Sequence, residues 1–240
     1  MGTSQSNPGL GKKSPLVPPW ADSPSDRPVN LTDFKHAMRG VAQGGGSESG
    51  RRALGHYARD VTGGEGFARK RFGNAIQGGV DLFNILSQSD EILFDLKSLE
   101  GKPCEEVVAL LAGVLTKSNG DADIINAATA QALSNALQSN ISFSVDMVTM
   151  DLILVTIVNY YTEVITNRMI QDSGDSWDKA STPSRVIEAE NQLRQLVYVV
   201  VDKHFMPILQ KNHNMTLSSD VKKIQETVIQ EVWNEWGSYE

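Results

Sequence analysis

Between Ser144 and Ile170 the residues Met147, Met150, Leu154, Val158, Tyr161, Ile165 and Met169 recur at helical spacing, and Val148, Leu152 and Val155 widen the stripe. A helix apolar over so much of its circumference must be covered on most sides, so the spacing predicts a central helix with others packed round it. The most apolar window, Met147 to Val158, is interrupted by Asp151 and bounded by Asp146 and Asn159. That is well short of the roughly 18 uninterrupted apolar residues of a membrane span. The segment reads as a core helix.

The same period runs through most of the chain. Phe34, Met38 and Val41 follow a capping Thr32 or Asn30 and stop at Gly44, Gly45 and Gly46, read as a flexible joint. A short helix from Arg51 to Asp60 closes at Gly63 and Gly64, and a longer one runs from Phe67 to about Ser87. Inside that longer helix Gly78 and Gly79 suggest a close crossing or a kink. Pro103 opens a further helix, with Glu105 and Glu106 at its positive end and Val107, Leu110, Leu111, Val114 and Leu115 as its buried side. An alanine-rich helix spans Ile124 to Leu137. After a loop from Asp172 to Pro183, helical spacing resumes at Val186, Leu193, Val197, Val200 and Ile208, and again at Val221, Ile224, Val228 and Val232, followed by Trp233 and Trp236. Val199, Val200 and Val201 could form a strand, but their flanks favour a helix bent before Pro207. The expected fold is all-α, a single multi-helix domain over residues 31–240, with no internal repeat.

Residues 1–30 read differently. Gly, Ser, Asn, Pro and Lys dominate the first twenty, where four prolines remove amide donors, and Pro24 and Pro28 keep residues 21–30 out of a helix. A disordered Pro/Gly/Ser-rich N-terminal tail is expected. Behind the small Gly2 the initiator Met is normally removed, leaving an unhindered α-amine whose pKa of roughly 7.7 to 8.0 keeps on the order of a tenth as free base at pH 7. Pro15, Leu16, Val17, Pro18 and Pro19 favour polyproline II geometry, and Trp20 adds a large apolar anchor, so this stretch reads as a docking segment. A leader without function, a Pro-rich groove ligand, an N-myristoylation site and another modification of Gly2 all fit.

Charge divides the domain. The net charge of −7 combines +5 from Met1 to Gly73 with −12 from Asn74 onward, giving a basic helical segment over 31–90 and an acidic helical body over 91–240. Arg51, Arg52, Arg59, Arg69, Lys70 and Arg71 form a candidate patch for an anionic partner. Nucleic acid is one such partner, although the acidic body argues against indiscriminate DNA binding. Arg69, Lys70 and Arg71 sit at a helix start, where cations oppose the macrodipole.

Catalytic chemistry finds little support. Gly45 and Gly50 have the spacing of a phosphate loop, yet Arg51 and Arg52 stand where Lys and Ser or Thr are needed. Asp121 and Asp123 follow Gly120 rather than precede it, unlike an EF-hand loop. His36, His56, His204 and His213 form no pair at metal spacing, and a single cysteine, Cys104, argues against a structural zinc site. That one cysteine also excludes an intramolecular disulfide framework and suits a reducing, cytoplasmic location without a secretory signal. No nucleophile elbow, dinucleotide fingerprint or His-Glu protease motif is present. The expectation is a non-enzyme with no resident metal or cofactor.

Several stretches together resemble the QatB family, the small component of the Qat anti-phage defence system. They are Gly2, Thr3 and Ser4 with Ser6, Pro8 and Gly9; Pro15 to Trp20 with Asp22; Arg52 to Arg59 with Gly63 and Gly64; and Ala68 to Gly73, where Phe72 replaces an expected Met. Weaker echoes are Leu99 to Pro103 with Glu105 and Glu106, and Ile165 through Arg168 to Gly174. The likeness lies in the first two thirds. It implies a non-catalytic partner of an ATPase (QatA), a QueC-like enzyme (QatC) and a TatD-like nuclease (QatD). QueC chemistry activates a 7-carboxy-7-deazaguanine as an adenylate and captures it with ammonia. The resemblance thus implies Gly2 as the acceptor of a covalent 7-deazaguanine derivative, Thr3 and Ser4 as residues read by the modifying enzyme, and Pro15 to Trp20 as the docking segment. The alternative is a nucleic-acid-binding module using the basic helices around Arg51 to Arg71.

Overall fold

The computed structural model describes residues 31–64, 68, 69, 71–88, 94–115, 121–137, 141–211 and 218–239. Eight α-helices lie among them, and no strand beyond an isolated bridge between Pro103 and Ser142. The all-α expectation holds. The helices are α1 (Leu31–Gln43), α2 (Gly46–His56), α3 (Gly73–Ser87), α4 (Cys104–Leu115), α5 (Ala122–Leu137), α6 (Met150–Ser173), α7 (Pro183–Lys211) and α8 (Ser218–Gly237).

The centre is the crossing of α6 with α3. From Ala75 to Leu86 nearly every residue of α3 is buried, and α6 buries Ile153, Leu154, Ile157, Val158, Tyr160, Tyr161, Val164, Ile165 and Met169. The glycine pair of α3 makes that crossing close. Tyr160 Oη donates to Ala75 O at 2.8 Å and Tyr161 Oη to Ile76 O at 3.4 Å, each passing over a residue without a side chain. Gln225 of α8 joins the seam, pairing with Tyr161 Oη at 2.5 Å and donating to Gly79 O at 3.3 Å. Alanine-rich α5 and long α7 both pack on α6, α4 packs on α5, and α8 packs on α3 and α7. Helix α1 packs on α2, α7 and the 3-10 turn Gly174–Lys179. The basic and acidic segments therefore share one core.

Several boundaries differ from the sequence reading, each for a local reason. The central helix starts at Met150 rather than Ser144, because Thr149 Oγ1 accepts from Leu152 N at 3.3 Å as its cap and Val145–Met147 forms a separate 3-10 turn. Gly44 and Gly46, at φ +98° and +66°, make a tight turn after which α2 begins five residues earlier than expected. The expected helix from Phe67 turns at Phe72 before α3 begins at Gly73, while Phe67 itself lies outside the described residues. Val199 to Val201 are helical, and α7 continues through Pro207 to Lys211. In α4 the buried side is Val107, Val108, Leu111, Ala112 and Leu115. Leu110 and Val114, expected inside, face solvent.

Candidate functional site

At the end of α2 the chain makes a π-helical turn, Tyr57–Val61, that ties the early helices to α6 and α8. Its signature is the bond from Thr62 N to Tyr57 O, five residues back. Thr62 Oγ1 donates to the Tyr57 and Ala58 carbonyls and accepts Trp233 Nε1 at 2.7 Å. Tyr57, in tilted ring contacts with Phe34 and Trp233, points its hydroxyl at Asp172. The distance to the carboxylate is 2.9 Å, and Arg71 Nη2 reaches the same oxygen at 2.5 Å. Burial pushes the Tyr57 phenol well above its ordinary range, Asp172 pushes the same way, and Arg71 opposes both. Burial disfavours the charge on Arg71, but Tyr57 and Asp172 outweigh it and hold the guanidinium protonated. This is a charge-assisted knot joining α2, the Arg71 segment and the end of α6.

The other predicted patch residues make separate contacts. Arg59 donates to the backbone carbonyls of Gly237, at 3.0 Å, and Tyr239, and so clamps the end of α8 onto α2. Gly55 permits that approach, since a Cβ there would lie 2.7 Å from Tyr239 O. Arg69 is 3.7 Å from Glu226 of α8, and Arg52 pairs with Glu48 within α2 at 2.5 Å. Arg51 is exposed. The structure thus gives Arg59, Arg69 and Arg71 partners inside the fold, and Arg51 and Arg59 both lie near Tyr239. Lys70, Gly2, Thr3, Ser4 and Pro15 to Trp20 lie outside the described residues.

Two polar constellations escaped the sequence reading. Asp33 of α1, His56 and Asp60 bring their ligand atoms within 4.8 Å of one another, with His56 Nδ1 and Asp60 Oδ2 2.7 Å apart. Two carboxylates and an imidazole could hold a divalent cation. The i, i+4 spacing of His56 and Asp60 was the one local signal, while Asp33 joins them only through the α1–α2 turn. The second is a polar cleft of about 330 Å³ where α5, α6 and α7 meet, lined by Asn135, Asn159, Glu163, Arg194, Gln195 and Tyr198. Glu163, its side chain 4% exposed, accepts Arg194 Nε at 2.6 Å. Carboxamides beside a carboxylate and a guanidinium offer both donors and acceptors to a polar ligand. Glu163 is the one charged residue between Asp151 and Arg168, which was the available signal, but its partner, 31 residues away, leaves no local trace.

A family model described as Qat anti-phage system associated protein QatB matches residues 63–236. No curated protein and no solved structure matches the chain. The match covers α3 to the last turn of α8, so it reaches well past the first two thirds where the resemblance was placed. Arg51, Arg52, Arg59 and residues 1–30 precede it.

Proposed function

From the premise that the chain belongs to the QatB family of the Qat anti-phage system, we propose that it is a non-catalytic subunit whose Gly2 α-amine is acylated by a QueC-like partner. As a family member it is a component of that defence system, with the other components as its partners. The finer reading assigns those partners as the ATPase, the QueC-like enzyme and the TatD-like nuclease.

The observation that carries the acceptor role is where the helical body begins. Among the described residues the first helix starts at Leu31, and Gly2 stands 29 residues ahead of it. At no more than about 3.6 Å per residue, that stretch has a contour length on the order of 100 Å, ample to enter a partner's pocket. The reaction balances simply. The unprotonated amine attacks the acyl carbon of the adenylated deazaguanine carboxylate, an amide bond forms, AMP leaves, and the nitrogen gives up a proton. Glycine has no side chain to hinder the approach. Thr3 and Ser4 would be read by the enzyme, and Pro15 to Trp20 would dock the tail. The nucleic-acid reading draws less support, because Arg59, Arg69 and Arg71 already have partners within the fold.

Intact mass of the chain purified from cells that also express its genomic neighbours tests the proposal. The expected mass is that of the Met-cleaved chain plus the deazaguanine acyl group, reverting to the Met-cleaved chain when the QueC-like enzyme is omitted. An unmodified mass from cells that resist phage would overturn the acceptor role.

A further inference from the structure

Helix α4 has a composition its surroundings do not account for. Of its twelve residues only Glu105 and Glu106, both in the first turn, are charged, and the rest are apolar or glycine. A helix apolar all round is ordinarily covered all round. The fold covers one side, against α5 and α3, and leaves Ala109, Leu110, Gly113 and Val114 facing out. Leu110 is 39% exposed and Val114 43%. The spacing places Leu110 and Val114 one turn apart, beside the small pair Ala109 and Gly113. A Cβ at Gly113 would meet nothing within 4 Å, so the helix backbone there is open to close approach.

The surroundings of that face are acidic. At its N-terminal end α4 is tied to the 141–145 segment, Cys104 N donating to Ile141 O at 3.3 Å, and in the turn before the helix the Glu100 carboxylate accepts Val145 N at 2.8 Å. This brings Glu100 and Asp146 to the same end as Glu105 and Glu106, against Lys102, which pairs with Glu106. Ile141 is 93% exposed there.

We propose that the outer face of α4 docks an amphipathic helix of another Qat component. That helix would carry aliphatic side chains at i, i+3 and i+4 for the Ala109–Val114 face and Lys or Arg for the acidic end. Charge complementarity selects a basic partner, since a second copy of this chain would set like charges near one another or leave them unpaired. Area argues the same way. Twelve residues span about 18 Å, and one face of that length falls well below the roughly 800 Å² per partner of a stable two-chain interface. A single helix contact within a larger assembly suits it. The inference rests on family membership alone and is independent of Gly2 modification.

The test is co-purification of the full chain with the other components encoded beside it, for three variants. Leu110→Lys with Val114→Lys should reduce recovery of the complex at least tenfold and leave the melting temperature of the chain unchanged. Gly113→Leu should do the same by blocking close approach. Glu105→Lys with Glu106→Lys should weaken the complex mainly at low salt, where exposed charges are least screened. Gly113→Leu keeps the test informative if either lysine pair disturbs folding. The proposal is overturned if the unaltered chain binds no component, if the complex survives Gly113→Leu and the Leu110/Val114 pair, or if light scattering shows a homodimer that these variants abolish.

Discussion

Replacing Gly78 by alanine tests the crossing at the centre of the fold. In an exposed helix that change stabilises by about 0.8 to 1.0 kcal/mol. Here the new Cβ would lie 2.5 Å from Tyr160 Oη and 3.2 Å from Ile125 Cγ2. The ring would have to retreat by roughly 1 Å to reach ordinary carbon contact, and the hydroxyl would give up its bond to Ala75 O. Overpacking costs about 1 to 3 kcal/mol and an unsatisfied buried hydroxyl a similar amount, so the net effect after the propensity gain is destabilisation on the order of 2 kcal/mol. For a chain of this size that lowers the melting temperature by about 4 to 8 °C. Tyr160→Phe should rescue most of it, because without the hydroxyl the nearest ring atom is Cζ at 3.5 Å, ordinary contact, and only the 3.2 Å approach to Ile125 Cγ2 remains. The neighbouring pair behaves differently. At Gly79 a Cβ would meet Tyr161 Oη at 2.5 Å but also Tyr161 Cζ and Gln225 Oε1, both at 2.9 Å, so Tyr161→Phe should not rescue Gly79→Ala. Denaturant midpoints of the four single and two double variants give the coupling directly. A stabilising Gly78→Ala, or one that Tyr160→Phe leaves uncorrected, would refute the close crossing.

Three further outcomes are expected. Arg71→Ala should cost about 1 to 3 kcal/mol by leaving the Asp172 carboxylate without its cation and with only the Tyr57 hydroxyl to donate to it, whereas Arg52→Ala, breaking an exposed pair, should stay within about 0.5 kcal/mol; equal effects in chemical denaturation would contradict the structural role of Arg71. Burial raises the Glu235 carboxyl, but hydrogen bonds from Lys203, His204 and Tyr239 outweigh it and hold it below the usual range. Its stabilisation is thus present above the ordinary Glu value of about 4.3 and lost as pH falls through the lower folded value, so the melting gap between the native chain and Glu235→Gln should narrow in acid; a gap that stays constant down to about pH 3 would count against it. Deleting Gly2 to Asp26 should leave the melting temperature nearly unchanged while abolishing phage protection, and a fall of several degrees would instead make Trp20 part of the core.

Sequence periodicity found the helices because helix burial repeats every 3.6 residues wherever a helix has one covered side. Phe34, Met38 and Val41 show this, all buried as expected. It failed at α4, where an apolar residue stands at almost every position and the pattern cannot say which side the fold will cover. It failed at Val145 to Val148 as well, since an apolar run continues across a cap that only Thr149 marks. The glycine pair of α3 was legible, because two adjacent helix-breaking residues in an apolar helix need a packing reason. The polar sites were not. Asp172 reaches Tyr57 across 115 positions and Glu163 reaches Arg194 across 31, and no local pattern encodes such pairings.

The charge division of the sequence has the same origin. A basic front third before an acidic remainder invites an external anion, and in this fold much of that complementarity is internal. Arg71 meets Asp172, Arg69 meets Glu226, Lys35 lies 3.9 Å from Asp175, and Arg59 takes the carbonyls at the end of α8. Each pair joins an early segment to one more than 100 positions later. Exposed examples contribute little energy singly, about 0 to 1 kcal/mol, but they favour the register in which the early helices close over α6 and α8. The residual field is then that of the acidic body, which is the field a partner would meet at α4. That sign selects a basic partner helix, while within the arginine cluster that suggested nucleic acid Arg69 and Arg71 serve as counter-charges of the body.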